Sequence, residues 1–218
     1  EVMDLFPGRF IHVGGDEAPK HEWSESQRAQ NRMAELGLQN EFELQSWFIR
    51  EMDEHISAAG RRLIGWDEIL EGGLARNAAV MSWRGEEGGI AAASQQHDVV
   101  MTPLQWTYFN LYQAEPKKEE PRAFNGMLPL DLVYSYDPIP EAMREEDRQY
   151  VMGGQGQLWT EYIADMNTLE YMGFPRICAL AEVLWLDENK KNYVDFLNRL
   201  AGHRARLDAL KVNTHPRP

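Results

Sequence analysis

Two adjacent carboxylates, Asp16 and Glu17, follow a pair of glycines in the segment His-Val-Gly-Gly-Asp-Glu at residues 12–17. Because glycine tolerates tight backbone turns, this segment can present both acids at the end of one strand. Adjacent like charges disfavour joint ionisation, which leaves one group protonated near neutral pH beside a permanent anion. The pair therefore indicates a general acid next to a fixed negative charge. Acidic residues also favour the first turn of a helix for electrostatic reasons alone, and this interpretation stays open here.

The same segment offers ligands for a divalent cation, because His12 and His21 are close in sequence to Asp16 and Glu17. Their spacing matches no common metal-binding motif, however. A lone histidine on a strand more often satisfies a hydrogen bond in the core. We therefore predict no metal site in this segment.

Three tryptophans, Trp66, Trp83 and Trp159, lie where proposed strands end rather than within a helical stripe. Sugars present apolar faces of C–H groups, and flat aromatic rings pack against such faces while polar groups bind the hydroxyls. Three converging indoles would form a tight pocket around one sugar ring. Ordinary core packing is the alternative, since tryptophan is heavily buried on average. The remaining tryptophans are assigned to the core or the rim, namely Trp23, Trp47, Trp106 and Trp185.

Short β-rich runs and helical patterns must position these residues. The predicted strands are residues 9–13, 62–66, 78–83, 98–102 and 150–152. The predicted helices are residues 24–36, residues 41–59, a helix that follows Gly85 and ends near residue 96, and residues 193–210. Residues 104–141 are predicted to be irregular. The candidate residues follow the strands directly. In an α/β barrel the active site lies at the carboxyl ends of the strands, so we expect them on one face.

The alternation of strands and helices predicts parallel strands joined by helical crossovers, which is an α/β fold. About five strands are too few for a complete (β/α)8 barrel of about 250 residues. A truncated barrel and a small doubly wound sheet both agree with this count. No tandem repeat, low-complexity run or linker divides the sequence, so we predict one domain.

The composition is acidic, with 22 Lys and Arg against 35 Asp and Glu and a formal net charge of -13. Contacts with phosphate need a basic face, so this balance argues against nucleic acid and anionic membrane surfaces as partners. A neutral substrate such as a sugar is compatible with it. Cys178 is the single cysteine, which excludes an internal disulfide. No apolar run is long enough to span a bilayer, so membrane insertion is not predicted.

Residues 12–17 resemble the signature of glycoside hydrolase family 20, the β-N-acetylhexosaminidases. Further segments resemble that family in its order, at residues 65–68, 82–85, 108–113, 156–161, 175–176 and 181–185. The family has a (β/α)8 barrel, so the resemblance implies that residues 1–218 form a partial TIM barrel, roughly strand 4 to strand 8 with their helices. The chain would then be the carboxyl-terminal portion of a single catalytic domain whose first strands lie upstream.

The resemblance implies a retaining, substrate-assisted hydrolysis that removes terminal β-linked N-acetylglucosamine or N-acetylgalactosamine from a glycan. In this mechanism the substrate's own 2-acetamido oxygen attacks the anomeric carbon. Glu17 would protonate the leaving oxygen and then activate water. Asp16 would orient the acetamido group and stabilise its positive charge, and Tyr108 would hydrogen-bond the acetamido oxygen. The reaction needs no cofactor.

The resemblance also implies a set of substrate-binding residues. They are His12, Trp66, Trp83, Asn110, Trp159 and Glu161. The three tryptophans would enclose the sugar ring and its N-acetyl group, and Glu161 would bind the C4 or C6 hydroxyls. The family often has Asp two residues after the tyrosine, where this sequence has Asn110. Asparagine hydrogen-bonds a hydroxyl without a charge, so the preference between gluco and galacto sugars stays open.

Three alternatives accompany this interpretation. The first is a carbohydrate-binding relative that does not cleave, although the presence of both Asp16 and Glu17 argues against it. The second is a hydrolase that uses two protein carboxylates. The third is a chain that is inactive alone, because an incomplete barrel exposes strand edges that invite self-association. Family analogy suggests export or a lysosome-like compartment, which the sequence itself does not show.

Overall fold

The computed structural model describes residues 1–217, whose packing forms two compact units. Unit 1 comprises residues 1–101 and 141–152, and unit 2 comprises residues 102–140 and the chain from residue 153 onward. The strands are β1 Phe10–His12, β2 Arg62–Trp66, β3 Ala79–Ser82, β4 Val99–Met101, β5 Leu111–Tyr112, β6 Phe124–Met127 and β7 Val151–Gly154. The α-helices are α1 Val2–Leu5, α2 His21–Glu25, α3 Gln27–Leu36, α4 Glu41–Ala58, α5 Glu87–Ser94, α6 Leu104–Thr107, α7 Leu130–Ser135, α8 Met166–Gly173, α9 Arg176–Trp185 and α10 Tyr193–Ala209. Short 3-10 helices cover Asp67–Leu70, Lys117–Glu119, Glu145–Tyr150 and Glu188–Lys190.

A parallel sheet forms the centre of unit 1. β1 pairs with β2, β2 with β3 and β3 with β4, all in parallel, and β7 follows β4 in the strand order. Phe10 lies opposite Arg62, and Val80 lies opposite Val99. Parallel strands have their carboxyl ends at the same edge of a sheet. The residues that follow β1, β2 and β3 therefore share that edge.

The core of unit 1 lies between this sheet and two helices. α4 packs against β2, and α5 packs against β3 and β4. Leu63 in β2 and Val80 in β3 retain no exposed surface. Strands that are covered in this way read as nearly continuous apolar runs, which made β2 and β3 recognisable in the sequence. The predicted α/β fold with parallel strands is confirmed.

Helix capping explains where the helices of unit 1 begin. Asn40 caps α4, since its side-chain oxygen accepts the Glu43 N–H at 3.0 Å. The prediction of one helix over residues 24–36 is wrong, because the chain forms α2 and α3 instead. Ser26 separates them in extended backbone, with φ -80° and ψ 111°, and its hydroxyl accepts the Ala29 N–H at 3.4 Å. A serine inside a helical pattern was therefore the start of a second helix.

Unit 2 contains regular structure where an irregular stretch was predicted. Residues 104–141 include α6, β5, β6 and α7. β5 has two residues and α6 has four, which is too short for a periodic pattern to be visible in the sequence. Later in the chain, α9 packs against α7 and α8. Among residues 1–217, no helix combines the length and the apolar character that crossing a membrane requires.

Candidate active site

The glycine turn after β1 is held against β2 by backbone hydrogen bonds. The Val13 N–H donates to the Ile64 carbonyl, and the Trp66 N–H donates to the Gly14 carbonyl, both at 2.9 Å. Gly15 has a φ of +102°, and a Cβ at this position would lie 2.6 Å from Cγ2 of Ile69. Only glycine fits here, because both the backbone angle and the space exclude a side chain. The turn thus fixes where the chain leaves the strand edge.

The two carboxylates that follow have different surroundings. Asp16 is half-buried, whereas Glu17 is exposed. Glu17 has a φ of +45°, in the left-handed region that residues with a Cβ rarely adopt. Such backbone strain concentrates at functional sites, where the surrounding structure maintains it. Among the described residues, no group of three or more His, Cys, Asp or Glu side chains is arranged to hold a metal ion.

His12 lies between the glycine turn and Trp66. Its Nδ1 accepts the Gly14 N–H at 3.0 Å, which leaves the proton of a neutral imidazole on Nε2. Burial lowers the pKa of His12, and the charge of Asp16 opposes this shift. The imidazole meets the Trp66 indole in a T-shaped contact with a centroid distance of 4.9 Å. His12 is therefore held in a fixed orientation close to Asp16.

Trp66 and Trp83 pack together but differ in exposure. Trp66 is 8% exposed and belongs to a core cluster with Ile64 and Met81, against which the half-buried Trp83 packs. Trp66 is therefore largely buried within this cluster. The contact with His12 nevertheless places Trp66 at the same edge of the sheet as the glycine turn.

A network of charged side chains contacts Trp83. It consists of Asp67, Glu68 and Arg84. Asp67, which is 1% exposed, accepts the backbone N–H groups of Trp83 at 2.9 Å and of Arg84 at 3.2 Å. The Arg84 guanidinium also donates to Asp67 and, at 2.8 Å, to Glu71. The indole Nε1 of Trp83 donates to Oε2 of Glu68 at 3.0 Å. These contacts fix both the backbone and the ring of Trp83.

Burial raises the pKa of Glu68, while the hydrogen bond from Trp83 and the charge of Arg84 lower it. The sequence assigned no role to Asp67, Glu68 or Arg84, although all three lie in segments that resemble the family. Acidic residues directly after a buried strand were the available signal. The sequence does not specify the register of β2 with β3, which places the Asp67 carboxylate within hydrogen-bond distance of the Trp83 N–H.

In unit 2, Tyr108 and Asn110 are buried, with 7% and 5% of their surfaces exposed. The intervening Phe109 donates its N–H to the Gln157 carbonyl at 2.8 Å, and Tyr108 forms a parallel bridge with Gln157. Oδ1 of Asn110 is buried and forms no hydrogen bond with any described residue. A buried oxygen without a donor is unfavourable, so this atom is suited to accept a hydrogen bond from a ligand.

Residues 156–161 are called the Gln157 segment. Trp159 and Glu161 lie at its end and are exposed. Gly156 brings this segment against Phe109, since a Cβ on Gly156 would lie 2.5 Å from the Phe109 ring. The structure thus brings His12, Asp16, Trp66 and Trp83 together within unit 1. Within unit 2, the Gln157 segment links the stretch that carries Tyr108 to the stretch that carries Trp159.

One known family and several known proteins are similar to this chain. The model of the family "Glycosyl hydrolase family 20, catalytic domain" matches residues 1–188. A β-hexosaminidase of Porphyromonas gingivalis is 47% identical over 216 residues, covering 99% of this chain and 28% of that protein. A β-hexosaminidase of Vibrio furnissii is 34% identical over 183 residues, covering 83% of this chain and 30% of that protein. The chain thus spans less than a third of the length of these two curated relatives.

Solved structures show the same likeness. A family 20 exo-β-N-acetylglucosaminidase of Vibrio harveyi, solved in complex with N-acetylglucosamine, superimposes with a TM-score of 0.88 at 33% identity. That match covers 98% of this chain and 34% of the other. A chitobiase of Flavobacterium johnsoniae superimposes with a TM-score of 0.82 at 29% identity, covering 100% of this chain and 32% of the other. These matches confirm the predicted fold class, a partial (β/α)8 barrel.

Proposed function

Since the chain belongs to glycosyl hydrolase family 20, matched over residues 1–188, we propose that it carries the acid–base pair of a retaining exo-β-N-acetylhexosaminidase. The observation that carries this proposal is the turn at the end of β1. It places a half-buried Asp16 beside an exposed Glu17 whose backbone adopts the left-handed region. The substrate class is a glycan that ends in a β-linked N-acetylhexosamine.

The reaction proceeds in two steps. In the first, the 2-acetamido oxygen of the substrate bonds to the anomeric carbon while the glycosidic C–O bond breaks. Glu17 gives its proton to the leaving oxygen, and Asp16 stabilises the positive charge that develops on the acetamido nitrogen. In the second step, Glu17 takes a proton from water, whose oxygen bonds to the anomeric carbon and releases the acetamido oxygen. Two inversions at one carbon give net retention.

The surroundings of the two acids support these roles. Glu17 is exposed, so it can reach a leaving group and then a water molecule. Asp16 is half-buried, and its charge acts on the neighbouring His12. A carboxylate that stabilises a developing cation gains from partial burial, because its field is less screened there.

The remaining candidate residues are proposed to bind the sugar. The buried Oδ1 of Asn110 would accept a hydrogen bond from a sugar hydroxyl, and Tyr108 would donate to the acetamido oxygen. The exposed Trp159 and Glu161 would meet one face and a distal hydroxyl of the ring. In unit 1, His12, Trp66 and Trp83 would contact the N-acetyl group and the ring.

Hydrolysis of two aryl glycosides by the purified protein tests this proposal. An aryl N-acetyl-β-glucosaminide has the assisting acetamido group, and the matching aryl β-glucoside lacks it. We expect kcat/KM to favour the first by at least about 100-fold, because intramolecular attack avoids the cost of bringing a nucleophile to the carbon. Equal rates would instead indicate a nucleophile supplied by the protein. Binding of N-acetylglucosamine without cleavage of either glycoside would favour a carbohydrate-binding relative.

A further inference from the structure

Arg176, the first residue of α9, is the largest of the fully buried side chains, with 0% of its surface exposed. No carboxylate of the described residues lies within ion-pair distance of its guanidinium. Burial lowers the pKa of Arg176 to about 9, an effect that the charge of Glu120 opposes. The group is therefore a cation at neutral pH. A buried cation is unfavourable unless hydrogen bonds compensate for its lost hydration.

Backbone carbonyls provide that compensation. Nη1 donates to the carbonyls of Leu111 at 3.1 Å and Leu128 at 3.0 Å. Nη2 donates to the carbonyls of Phe109 at 2.5 Å and Met172 at 2.6 Å, and Nε donates to Met172 at 3.2 Å. The guanidinium carbon also lies 5.2 Å from the centroid of the Phe109 ring. One side chain thus ties four backbone positions of unit 2 together.

Two of these carbonyls flank Asn110, and the others of this stretch are also engaged. The Asn110 carbonyl accepts the Phe124 N–H at 2.9 Å, and the Tyr108 carbonyl accepts the Leu111 N–H at 3.2 Å. Every carbonyl from Tyr108 to Leu111 therefore has a donor. Peptide planes that are fixed in this way determine where the side chains of Tyr108 and Asn110 point.

We propose that Arg176 is a positioning residue, whose guanidinium fixes the backbone that presents Tyr108 and Asn110 to the N-acetylhexosamine. The proposal rests on the proposed function for the identity of the ligand. The clamp does not rest on the proposed function. It consists of the hydrogen bonds that Arg176 donates to the carbonyls of Phe109, Leu111, Leu128 and Met172, all within unit 2. An apolar side chain of similar volume would fill the same space without a buried charge, so packing alone does not account for the guanidinium.

The variant Arg176→Lys separates charge from geometry. Lysine retains the positive charge but has one ammonium with three donors, and it cannot reach four carbonyls with a planar fork. We expect this variant to lower kcat on an aryl N-acetyl-β-glucosaminide by about 100-fold, because displacement of a positioned group by about 1 Å has this effect. KM should change less, and amide hydrogen exchange at residues 109–111 and 124 should accelerate at least tenfold.

Val183→Ala serves as the matched control. Val183 is buried in the same helix, and its truncation leaves a cavity without touching the clamp. It should lower the melting temperature while leaving kcat and the exchange at residues 109–111 within twofold of the parent. If Arg176→Lys behaves like Val183→Ala in both measurements, Arg176 has a structural role only and the proposal is overturned.

A measurement on the parent protein covers the case in which Arg176→Lys does not fold. With ¹⁵N-labelled arginine, the Nε–H of Arg176 should exchange slowly, and its resonance should shift when N-acetylglucosamine is added. Fast exchange of that proton contradicts the clamp, whether or not the sugar binds. Slow exchange without any shift on saturation with the sugar contradicts positioning. A parent that neither binds nor cleaves the sugar overturns the proposed function, and the exchange rates still decide on the clamp.

Discussion

Two buried charged side chains, Asp67 and Arg176, each form hydrogen bonds with backbone groups of a candidate site residue or its neighbours. The carboxylate of Asp67 accepts the backbone N–H groups of Trp83 and Arg84, which lie on either side of the Trp83 Cα. The guanidinium of Arg176 donates to the carbonyls on either side of Asn110. In both cases the residue proposed to meet the substrate is placed through its main chain. Substitution of the supporting charge should therefore disturb a site that it does not touch.

The variant Asp16→Asn tests the proposed role of the half-buried carboxylate. It keeps the shape of the side chain but removes the charge that stabilises the developing cation. We expect kcat on an aryl N-acetyl-β-glucosaminide to fall by about 100-fold to 1,000-fold, as when one preorganised electrostatic contact is lost. Asp4→Asn, at an exposed position of α1, is the control and should behave as the parent does. An unchanged rate in Asp16→Asn would remove Asp16 from the mechanism.

The residue types in the sequence identified the candidate residues, but they did not predict the contacts that these residues form. The carboxylate pair and the glycines before it were visible because they are adjacent in sequence. The hydrogen bond from Trp83 to Glu68 joins residues that are 15 positions apart. It follows from the parallel register of β2 with β3, which no sequence pattern specifies. The roles proposed for the individual site residues stay predictions.

At the scale of elements, the turn after β1 is the part on which the carboxylates depend most. Gly15→Ala combines a φ of +102° with a contact of 2.6 Å to Ile69, so the turn must move. We expect a loss of stability above about 1–2 kcal/mol, the usual cost of the left-handed conformation, together with a loss of activity of at least tenfold. Thermal unfolding and kcat/KM measure the two effects.

Gly37→Ala is the matched control for this variant. Gly37 also has a positive φ, +67°, but a Cβ there would meet no atom within 4 Å. Its substitution should therefore show the cost of the backbone angle alone, with activity unchanged. If Gly15→Ala loses no more activity than Gly37→Ala, the position of the turn does not control the reaction.

The elements that the sequence predicted best are those with long or buried patterns. β2 was predicted with its observed bounds, Arg62–Trp66, and α4 within one residue. Buried parallel strands and an 18-residue helix carry enough positions for a pattern to emerge. The prediction that residues 104–141 are irregular was wrong, because the elements in this stretch are each only two to six residues long. They are β5, β6, α6 and α7.

At the scale of the whole molecule, the chain is a family member that spans 28% and 30% of the two curated relatives described above. The prediction that residues 1–218 belong to one catalytic domain stays a prediction, as does self-association through exposed edges. Several large apolar side chains of unit 2 are exposed, including Trp185 at 91%. Exposed apolar surface of this kind is suited to contact with further protein.

The variant Glu17→Gln, assayed with two leaving groups, tests most directly that this chain supplies the general acid. Gln has no acidic proton to give to the leaving oxygen. A weakly acidic phenol needs that proton to leave, whereas a strongly acidic phenol leaves as the phenolate without it. We expect kcat/KM to fall by about 100-fold to 10,000-fold for the N-acetyl-β-glucosaminide of the weakly acidic phenol, and by far less for the other. Glu22→Gln, in the following helix, should match the parent on both substrates. Equal losses on the two substrates, or no loss on either, would contradict the role of Glu17 as the acid.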